Sequence, residues 1–152
     1  MLIDIHTHIQ QFSDKDLDIL INNSRFKNID LIIAAGTTLT DSTKALELAN
    51  NYNEIYAAVG VHPQNIHDES TDNYIAKLEK LIQFDKTIMI SEIGLDLQEN
   101  SVDIKLQRKF FSEQINLAKL HHLPTAFHVR NAEKEAIKII KSEKINEIKS
   151  VA

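Results

Sequence analysis

The regular alternation of short apolar runs with amphipathic stretches restricts the fold of this chain more than any other feature. Runs typical of β-strands occupy residues 2–7, 30–35, 55–60, 87–91 and 124–128, with a weaker candidate at 147–152. Subtracting successive starting positions gives spacings of 28, 25, 32, 37 and 23 residues. A (β/α)8 barrel has about 250 residues, or about 31 per βα unit, so the spacing is typical of that architecture.

The stretches between these runs have the apolar periodicity of helices that bury one face. Ser13 followed by Asp16 is similar to a capping box and predicts the start of the first helix. Asp41 and Asn131 are the candidate N-caps of the second and fifth helices. A helix after each strand predicts repeated βαβ units, and therefore a parallel sheet with right-handed crossovers.

Two architectures satisfy this repeat, a closed barrel and an open doubly wound sheet. No Gly-x-Gly-x-x-Gly sequence follows the first strand, which disfavours the dinucleotide-binding form of the open sheet. We predict an α/β fold of (β/α)8 TIM-barrel type, truncated to five βα units and the start of strand six. It would form one partial domain over residues 1–152. The alternative is a small open α/β fold, complete in itself.

The composition narrows the class of protein. Hydrophobic residues make up 43% of the chain and charged residues 26%, which supports a packed core. The absence of cysteine removes disulfides and thiolate metal sites and fits a cytoplasmic location. No signal peptide or membrane-length apolar run is recognisable, so no membrane association is expected. Because the net charge is −5, any nucleic acid should be held locally, through metal ions and a few cations, rather than by bulk electrostatics.

The strongest chemical signal is the sequence Asp4-Ile5-His6-Thr7-His8 in the first strand. Side chains alternate along a strand, so Asp4, His6 and His8 share the face toward the barrel interior. Ile3 and Ile5 should pack under the helices on the other face. Two imidazoles two residues apart can converge on one metal ion. The alternative is a chance His-x-His near a terminus.

Two more motifs follow the third and fourth strands. In Gly60-Val61-His62-Pro63, His62 could contact a substrate phosphate or lie beside metals, or it could be a loop histidine that packs locally. In Ser91-Glu92-Ile93-Gly94-Leu95-Asp96, Glu92 lies at the barrel mouth, where a carboxylate can bridge two cations. Gly94 permits a tight turn beside the site. Asp96 is either a turn residue or a support for the site, and we favour the structural role.

A fourth motif, Leu123-Pro124-Thr125-Ala126-Phe127-His128-Val129-Arg130, covers the fifth strand. His128 ends that strand and Arg130 lies just beyond it. A guanidinium binds phosphate in a bidentate way, although a surface ion pair is the alternative for Arg130.

Five candidate residues share one position in the repeat, the C-terminal end of a strand, where (β/α) barrels carry their active sites. They are His6, His8, His62, Glu92 and His128. The three imidazoles of His6, His8 and His128, with the carboxylate of Glu92, suit Zn, Mn, Fe or Ni, and Mg where more oxygen or water joins. Paired cations in such a site activate water and neutralise charge on a phosphodiester. By contrast, the remaining histidines are interpreted as surface residues: His67, His121 and His122.

The order of these four motifs resembles the TatD family of deoxyribonucleases over essentially the whole chain. The resemblance implies a (β/α) barrel that hydrolyses phosphodiesters with two divalent ions, Mg, Mn or Zn. It implies that His6 and His8 bind the first metal, that Glu92 bridges both, and that His128 binds the second. Asp4 would support the pair of histidines. Val129 and Leu97 depart from the usual family residues, but neither replaces a ligand.

The resemblance also implies the substrate and the remaining machinery. His62 and Arg130 would lie near substrate phosphate, with Glu92 and His62 as the catalytic candidates. The substrate would be DNA, as ends or single strands, cleaved as a 3′-5′ exonuclease by the full-length form; no obligate protein partner is expected. The family pattern needs a further His and Asp that would lie beyond Ala152.

Two other classes of function stay open. The first is a different metal-dependent hydrolase on the same barrel, of deacylase, phosphatase or amidohydrolase type. The second is an inactive fragment or a metal-binding interaction protein.

Overall fold

The expected alternation of strands and helices is present throughout the computed structural model, which describes residues 1–69, 73–144 and 150–151. The six strands are β1 (Leu2–Thr7), β2 (Ile29–Ala35), β3 (Ile55–Val59), β4 (Thr87–Asp96), β5 (Thr125–Arg130) and β6 (Ser150–Val151). The helices are α1 (Asp14–Phe26), α2 (Leu39–Asn51), α3 (Tyr74–Ile82), α4 (Ile104–Leu120) and α5 (Glu133–Ser142). Short 3-10 helices lie at Ile9–Gln11 and Ile66–Asp68.

The strands form one sheet in the order β1-β2-β3-β4-β5-β6, and every neighbouring pair is parallel. Strand order that follows chain order, with a helix in each connection, is the topology of a (β/α) barrel. The sheet curls into a half-barrel, so the predicted fold class is confirmed. All strands run the same way, and their C-terminal ends therefore meet along one rim.

The centre of the sheet is built from small and branched apolar residues that are buried on both faces, as expected for parallel strands covered by helices. Ala34 pairs with Ala57, and Ala35 pairs with Ala58, in the register of β2 and β3. All four alanines are fully buried. Ala34 and Ala57 pack in one cluster with the fully buried Ala45 and Ala49 of α2, whereas Ala35 and Ala58 belong to a separate cluster on the other face.

The longest helix, α4, covers β4 and closes the largest core cluster. Its residues Phe110, Phe111 and Ile115 are at most 1% exposed. Phe110 stacks on Tyr74 of α3 with ring centroids 4.0 Å apart. Aromatic burial of this size contributes a large share of core stability, and the stacked rings hold α4 against α3.

The helix starts were only partly predicted. Ser13 caps α1, and its hydroxyl accepts a hydrogen bond from the Asp16 amide, which confirms the first prediction. The prediction for α2 was wrong, because Thr38 is the cap and accepts from the amide of Asp41. The prediction for α5 was also wrong: Ala132 occupies the cap position, and Asn131 adopts a φ of 55° before it.

Strands β4 and β5 run further than expected. The predicted end at residue 91 is wrong, since β4 continues through Asp96, and β5 likewise continues through Arg130. Pairing between the two strands carries the extension, with Gly94 opposite His128 and Asp96 opposite Arg130. The site motifs therefore lie within the sheet rather than in the turns after it. Of the expected sixth strand, Ser150–Val151 pairs with β5, and 147–149 and 152 lie outside the described residues.

The outer face of β1 differs from expectation. Ile3 and Ile5, predicted to pack under helices, are 36% and 47% exposed. The reason is that β1 is an edge strand, paired with β2 along one side. Among the described residues, no helix is both long and apolar enough to cross a bilayer.

Candidate metal and active centre

The rim formed by the C-terminal strand ends brings the predicted site residues together. His6 lies in β1 and His8 follows that strand, while Glu92 and His128 lie in β4 and β5. The side chains of these residues converge although they come from opposite halves of the sheet, because the sheet curls. Parallel topology, which aligns the ends, makes this meeting possible.

Glu92 is at the centre of the cluster, and its two carboxylate oxygens face different partners. Oε2 lies 3.5 Å from His6 Nε2 and 3.7 Å from His8 Nε2. Oε1 lies 3.1 Å from His128 Nδ1. A carboxylate with one oxygen toward each group of imidazoles is suited to bridge two cations.

The outer nitrogen of His8 is held by the backbone. Its Nδ1 lies 2.8 Å from the carbonyl oxygen of Ala35, at the end of β2. A carbonyl only accepts hydrogen bonds, so Nδ1 carries a proton and donates it. In neutral His8 the lone pair is therefore on Nε2, the atom that faces Glu92. A ligating histidine normally has this arrangement, with the outer N–H fixed by an acceptor.

His128 is held in a related way by Asp96, a side chain for which the sequence favoured a structural role over support of the site. Its Nε2 lies 2.9 Å from Asp96 Oδ2, and its Nδ1 faces Glu92. Asp96 is 1% exposed at the end of β4, so its interpretation as a turn residue was wrong. The motif of the fourth strand places Asp96 near Glu92, but no local pattern indicates a contact with a residue 32 positions later.

His62 lies beside this group rather than inside it. Its ring and that of His128 are edge to face with centroids 4.3 Å apart. The Gln64 amide donates to His62 Nδ1 at 3.1 Å. The proton of neutral His62 is therefore on Nε2, which leaves that atom as a donor.

The loop that carries His62 is fixed by two buried side chains. Gln114 of α4 accepts from the Val61 amide at 2.7 Å and donates to the Val61 carbonyl at 3.1 Å. Ser42 of α2 contacts both the amide and the carbonyl of Gly60. Buried backbone groups that are paired on both sides resist displacement. His62 is thus presented from a rigid segment, not a free loop.

Arg130 and Asp4 lie at the periphery. Arg130 donates to Gln98 Oε1 at 2.6 Å, and its guanidinium is 54% exposed. Asp4 is exposed, and its Oδ1 lies 3.5 Å from the His6 amide. Both placements are compatible with their predicted roles, Arg130 toward incoming phosphate and Asp4 beside the His pair. Both roles stay predictions.

The charges of the cluster are strongly coupled. The hydrogen bond from His6, opposed by burial, lowers the pKa of Glu92 to about 2, so the carboxylate is ionised at neutral pH. The same hydrogen bond raises the pKa of His6 above its ordinary value. Burial would raise the pKa of Asp96, but hydrogen bonds with His128 and the Gln98 amide outweigh it and lower the pKa.

The donor set fits divalent cations. One donor atom each from His6, His8 and Glu92 lies within 4.8 Å of the others. The inner lone pair of neutral His8 points at an ionised carboxylate, an arrangement that is repulsive unless positive charge lies between them. Imidazole with carboxylate suits Zn and Mn, and Mg when water completes the shell. A second compact group consists of His62, Asp96 and His128.

His62 should make the stability of the metal-free protein depend on pH. Burial, followed by the charge of His128, lowers its pKa to about 4 from 6.5. The unfolded chain therefore binds the proton first, and stability that is present above pH 6.5 is lost as the pH falls through 4. We expect a slope of at most about 1.4 kcal/mol per pH unit in that window.

The measurement is denaturant unfolding of wild type and His62→Asn across this window. The Asn Oδ1 can still accept from the Gln64 amide, so the variant removes the titration with little other change. The wild-type advantage should shrink as the pH is lowered. Parallel pH profiles for the two proteins would contradict the prediction.

Comparison with known proteins assigns nearly the whole chain to one family. The family model for TatD-related DNases matches residues 3–152. The uncharacterized metal-dependent hydrolase YabD of Bacillus subtilis is 33% identical over 145 residues, which cover 94% of this chain and 56% of that protein. The 3′-5′ ssDNA/RNA exonuclease TatD of Cronobacter turicensis is 35% identical over 121 residues, covering 78% of this chain and 45% of that enzyme.

The fold agrees with solved structures. The crystal structure of YjjV, a TatD homologue from Escherichia coli, superposes with a TM-score of 0.88 at 27% identity. The match covers 97% of this chain and 57% of that one. The chain thus spans about half the length of the relatives that it matches.

Proposed function

This chain belongs to the family of TatD-related DNases, and on that premise we propose that its site hydrolyses phosphodiester bonds in DNA with two divalent cations. The proposed ligands are His6 and His8 for one cation, His128 for the other, and Glu92 between them. The proposed substrate is a single strand or a free end, cleaved from the 3′ side. The activity is that of the protein in which the site has all its ligands.

The observation that carries the proposal is the placement of Glu92. Its two oxygens face imidazoles from opposite sides, at 3.5 and 3.7 Å on one side and 3.1 Å on the other. A single cation would use only one of the two oxygens with its facing imidazoles, whereas two cations would use both oxygens. Bound cations of this kind activate water near neutral pH and offset the negative charge of a phosphodiester.

The other residues of the rim have properties that suit a phosphate ligand. Burial keeps His62 neutral at pH 7, and its Nε2–H, which has no hydrogen-bond partner among the described residues, is a donor rather than a metal ligand. The exposed guanidinium of Arg130 lies at the end of β5 and can pair with a phosphate in a bidentate way. We propose that these two side chains orient the phosphate against the Glu92 cluster.

The negative net charge of the chain favours recognition of the substrate through local contacts. The chain carries a net charge of −5, so a long polyanion gains little from its overall field. Recognition through a few contacts at the rim favours a terminal nucleotide or a flexible single strand. The name of the Cronobacter relative, an exonuclease acting on ssDNA and RNA, is compatible with such a substrate.

The test combines cation binding with hydrolysis. Calorimetric titration of the 152-residue chain with Mn²⁺ should show binding that is lost in His8→Ala and kept in His67→Ala, a matched change at an exposed histidine. Hydrolysis is measured on a 5′-labelled single-stranded oligonucleotide with Mg²⁺ or Mn²⁺, using the chain and any longer product of the same gene. Progressive shortening from the 3′ end, stopped by chelator and by a 3′ phosphorothioate cap, is the expected result.

Two outcomes would overturn the proposal. Mn²⁺ binding that is equal in wild type and His8→Ala would remove the metal site. Binding without cleavage of DNA, together with cleavage of a phosphomonoester, an acyl ester or an amide in a substrate panel, would assign the site to another metal-dependent hydrolase.

A further inference from the structure

We propose that Asp96, held in place by Gln107, is a positioning residue that retains the proton of His128 on Nε2 and so leaves Nδ1 free as a ligand atom toward Glu92. This inference rests on the proposed function for its consequence, since Nδ1 would be the atom that binds the second cation. The proposed arrangement is a chain of hydrogen bonds from α4 through β4 to β5, and its effect on His128 can be measured without any cation.

The first step of the chain is the contact between Gln107 and the backbone of Asp96. Gln107 Oε1 accepts from the Asp96 amide at 2.8 Å, and its Nε2 donates to the Asp96 carbonyl at 2.9 Å. The same Nε2 donates to the Val102 carbonyl at 2.7 Å. Gln107 is fully buried, and a buried amide with all of these partners has one stable orientation. The end of β4 is thereby fixed at Asp96.

The second step concerns the two oxygens of the Asp96 carboxylate, which have different hydrogen-bond partners. Oδ1 accepts from the Gln98 amide at 3.1 Å, and Oδ2 lies 2.9 Å from His128 Nε2. Arg130 lies 3.9 Å from Oδ2, on the more exposed side. An ionised carboxylate has only acceptors, so the proton between Asp96 and His128 belongs to Nε2.

The third step compares the two carboxylates that can accept a hydrogen bond from the ring of His128. Neutral His128 has one ring proton and two carboxylates beside it, Glu92 at Nδ1 and Asp96 at Nε2. The Asp96 contact is the shorter one, and its side chain is 2% exposed against 18% for Glu92. A more buried carboxylate is less well solvated and gains more from the hydrogen bond. Without Asp96, the proton would move to Nδ1 and face Glu92, where it would have to be displaced before any cation could bind.

The geometry distinguishes this role from simple packing. If Asp96 only ended the strand, its backbone bonds and the hydrogen bond that Oδ1 accepts from the Gln98 amide would be sufficient. The second oxygen would then be free to reach solvent, yet it is buried and directed at a ring nitrogen of a residue on another strand. A hydrogen bond to the outer nitrogen of a ligating imidazole fixes both its tautomer and its orientation.

The decisive variant is Asp96→Asn, with Asp103→Asn as the matched control. The Gln98 amide and His128 Nε2 face different oxygens of Asp96, and in Asn one of these two positions becomes an NH₂ group, so one of the donors loses its acceptor. Asp103 caps α4, and Asn caps equally well while removing the same charge from the same region. Gln107→Met is a second variant that releases the Asp96 backbone and leaves its carboxylate intact.

The primary measurement is the ¹⁵N chemical shifts of the His128 ring in metal-free protein, at a pH above the ordinary titration range of imidazole. Wild type and Asp103→Asn should show protonated Nε2 and unprotonated Nδ1. In Asp96→Asn the proton should move to Nδ1, and in Gln107→Met the two forms should be mixed. Thermal unfolding of each variant verifies that the shifts come from folded protein.

The second measurement is the affinity for Mn²⁺ by calorimetry, where Asp96→Asn should bind about 10- to 100-fold more weakly. Unchanged protonation of Nε2 in folded Asp96→Asn would overturn the inference, and so would a tautomer change in the control alone. If wild type binds no cation, the proposed function fails, while the ring shifts still decide the role of Asp96.

Discussion

Replacing Glu92 with Gln is expected to abolish high-affinity binding of divalent cations, with a loss exceeding about 100-fold. Loss of a partner in the outer shell of a metal site already costs about 10- to 100-fold, and Glu92 faces the donor atoms of both halves of the cluster directly. The amide keeps the size of the side chain but removes its charge. Titration calorimetry with Mn²⁺ measures the change, and any hydrolysis of DNA should fall with it.

The matched control is Glu47→Gln, which removes the same charge from the exposed face of α2. It should bind Mn²⁺ like wild type. If Glu92→Gln and Glu47→Gln both bound Mn²⁺ like wild type, the carboxylate at the centre of the cluster would have no part in holding cations. A comparable loss in both variants would point instead to a general effect of net charge.

Gly94→Ala is expected to be the most destabilising single change near the site, at about 3 kcal/mol or more. Gly94 has a φ of +150°, a conformation that side chains rarely adopt. A Cβ there would lie 2.0 Å from the carbonyl oxygen of His128 on the paired strand. The clash is with backbone, so relief requires β4 and β5 to separate, and His128 would move away from Glu92.

Thermal unfolding of the metal-free protein measures this effect, and a fall in Tm of roughly 10 °C corresponds to that loss for a chain of this size. Leu97→Ala is the control, since it lies three residues further along, is 37% exposed, and keeps its backbone hydrogen bond to Arg130. The control should lose less than about 1 kcal/mol. If Gly94→Ala unfolded at the wild-type Tm, the prediction would be wrong, since the two strands could then separate locally without a loss of stability.

The parts of the fold that depend on local pattern were predictable from the sequence. The apolar period and unit spacing gave the alternation of strands and helices, and Ser13 with Asp16 gave the start of α1. The convergence of His6, Glu92 and His128 followed from one rule, that parallel strands end at a common rim. Each of these inferences uses information that lies within a few residues or in the repeat itself.

The features that sequence reasoning missed depend on contacts between distant segments. The extension of β4 to Asp96 is stabilised by pairing with β5, over 30 residues later in the chain. Asp41 was predicted to cap α2, but its side chain instead accepts from Thr37 and from Gln10, which lies 31 positions earlier in the chain. No local signal distinguishes a glutamine on a helix surface from one, such as Gln107, that binds the backbone of a neighbouring strand.

The two buried glutamines of α4 also link the helix to the site energetically. Gln107 and Gln114 lie two helical turns apart and bind the backbones of Asp96 and Val61, at the ends of two different strands. Opening of α4 would break both attachments at once, so the helix and the rim form one cooperative unit in hydrogen exchange. A cation that binds only the assembled rim would therefore slow amide exchange along α4, although α4 carries none of the proposed ligands.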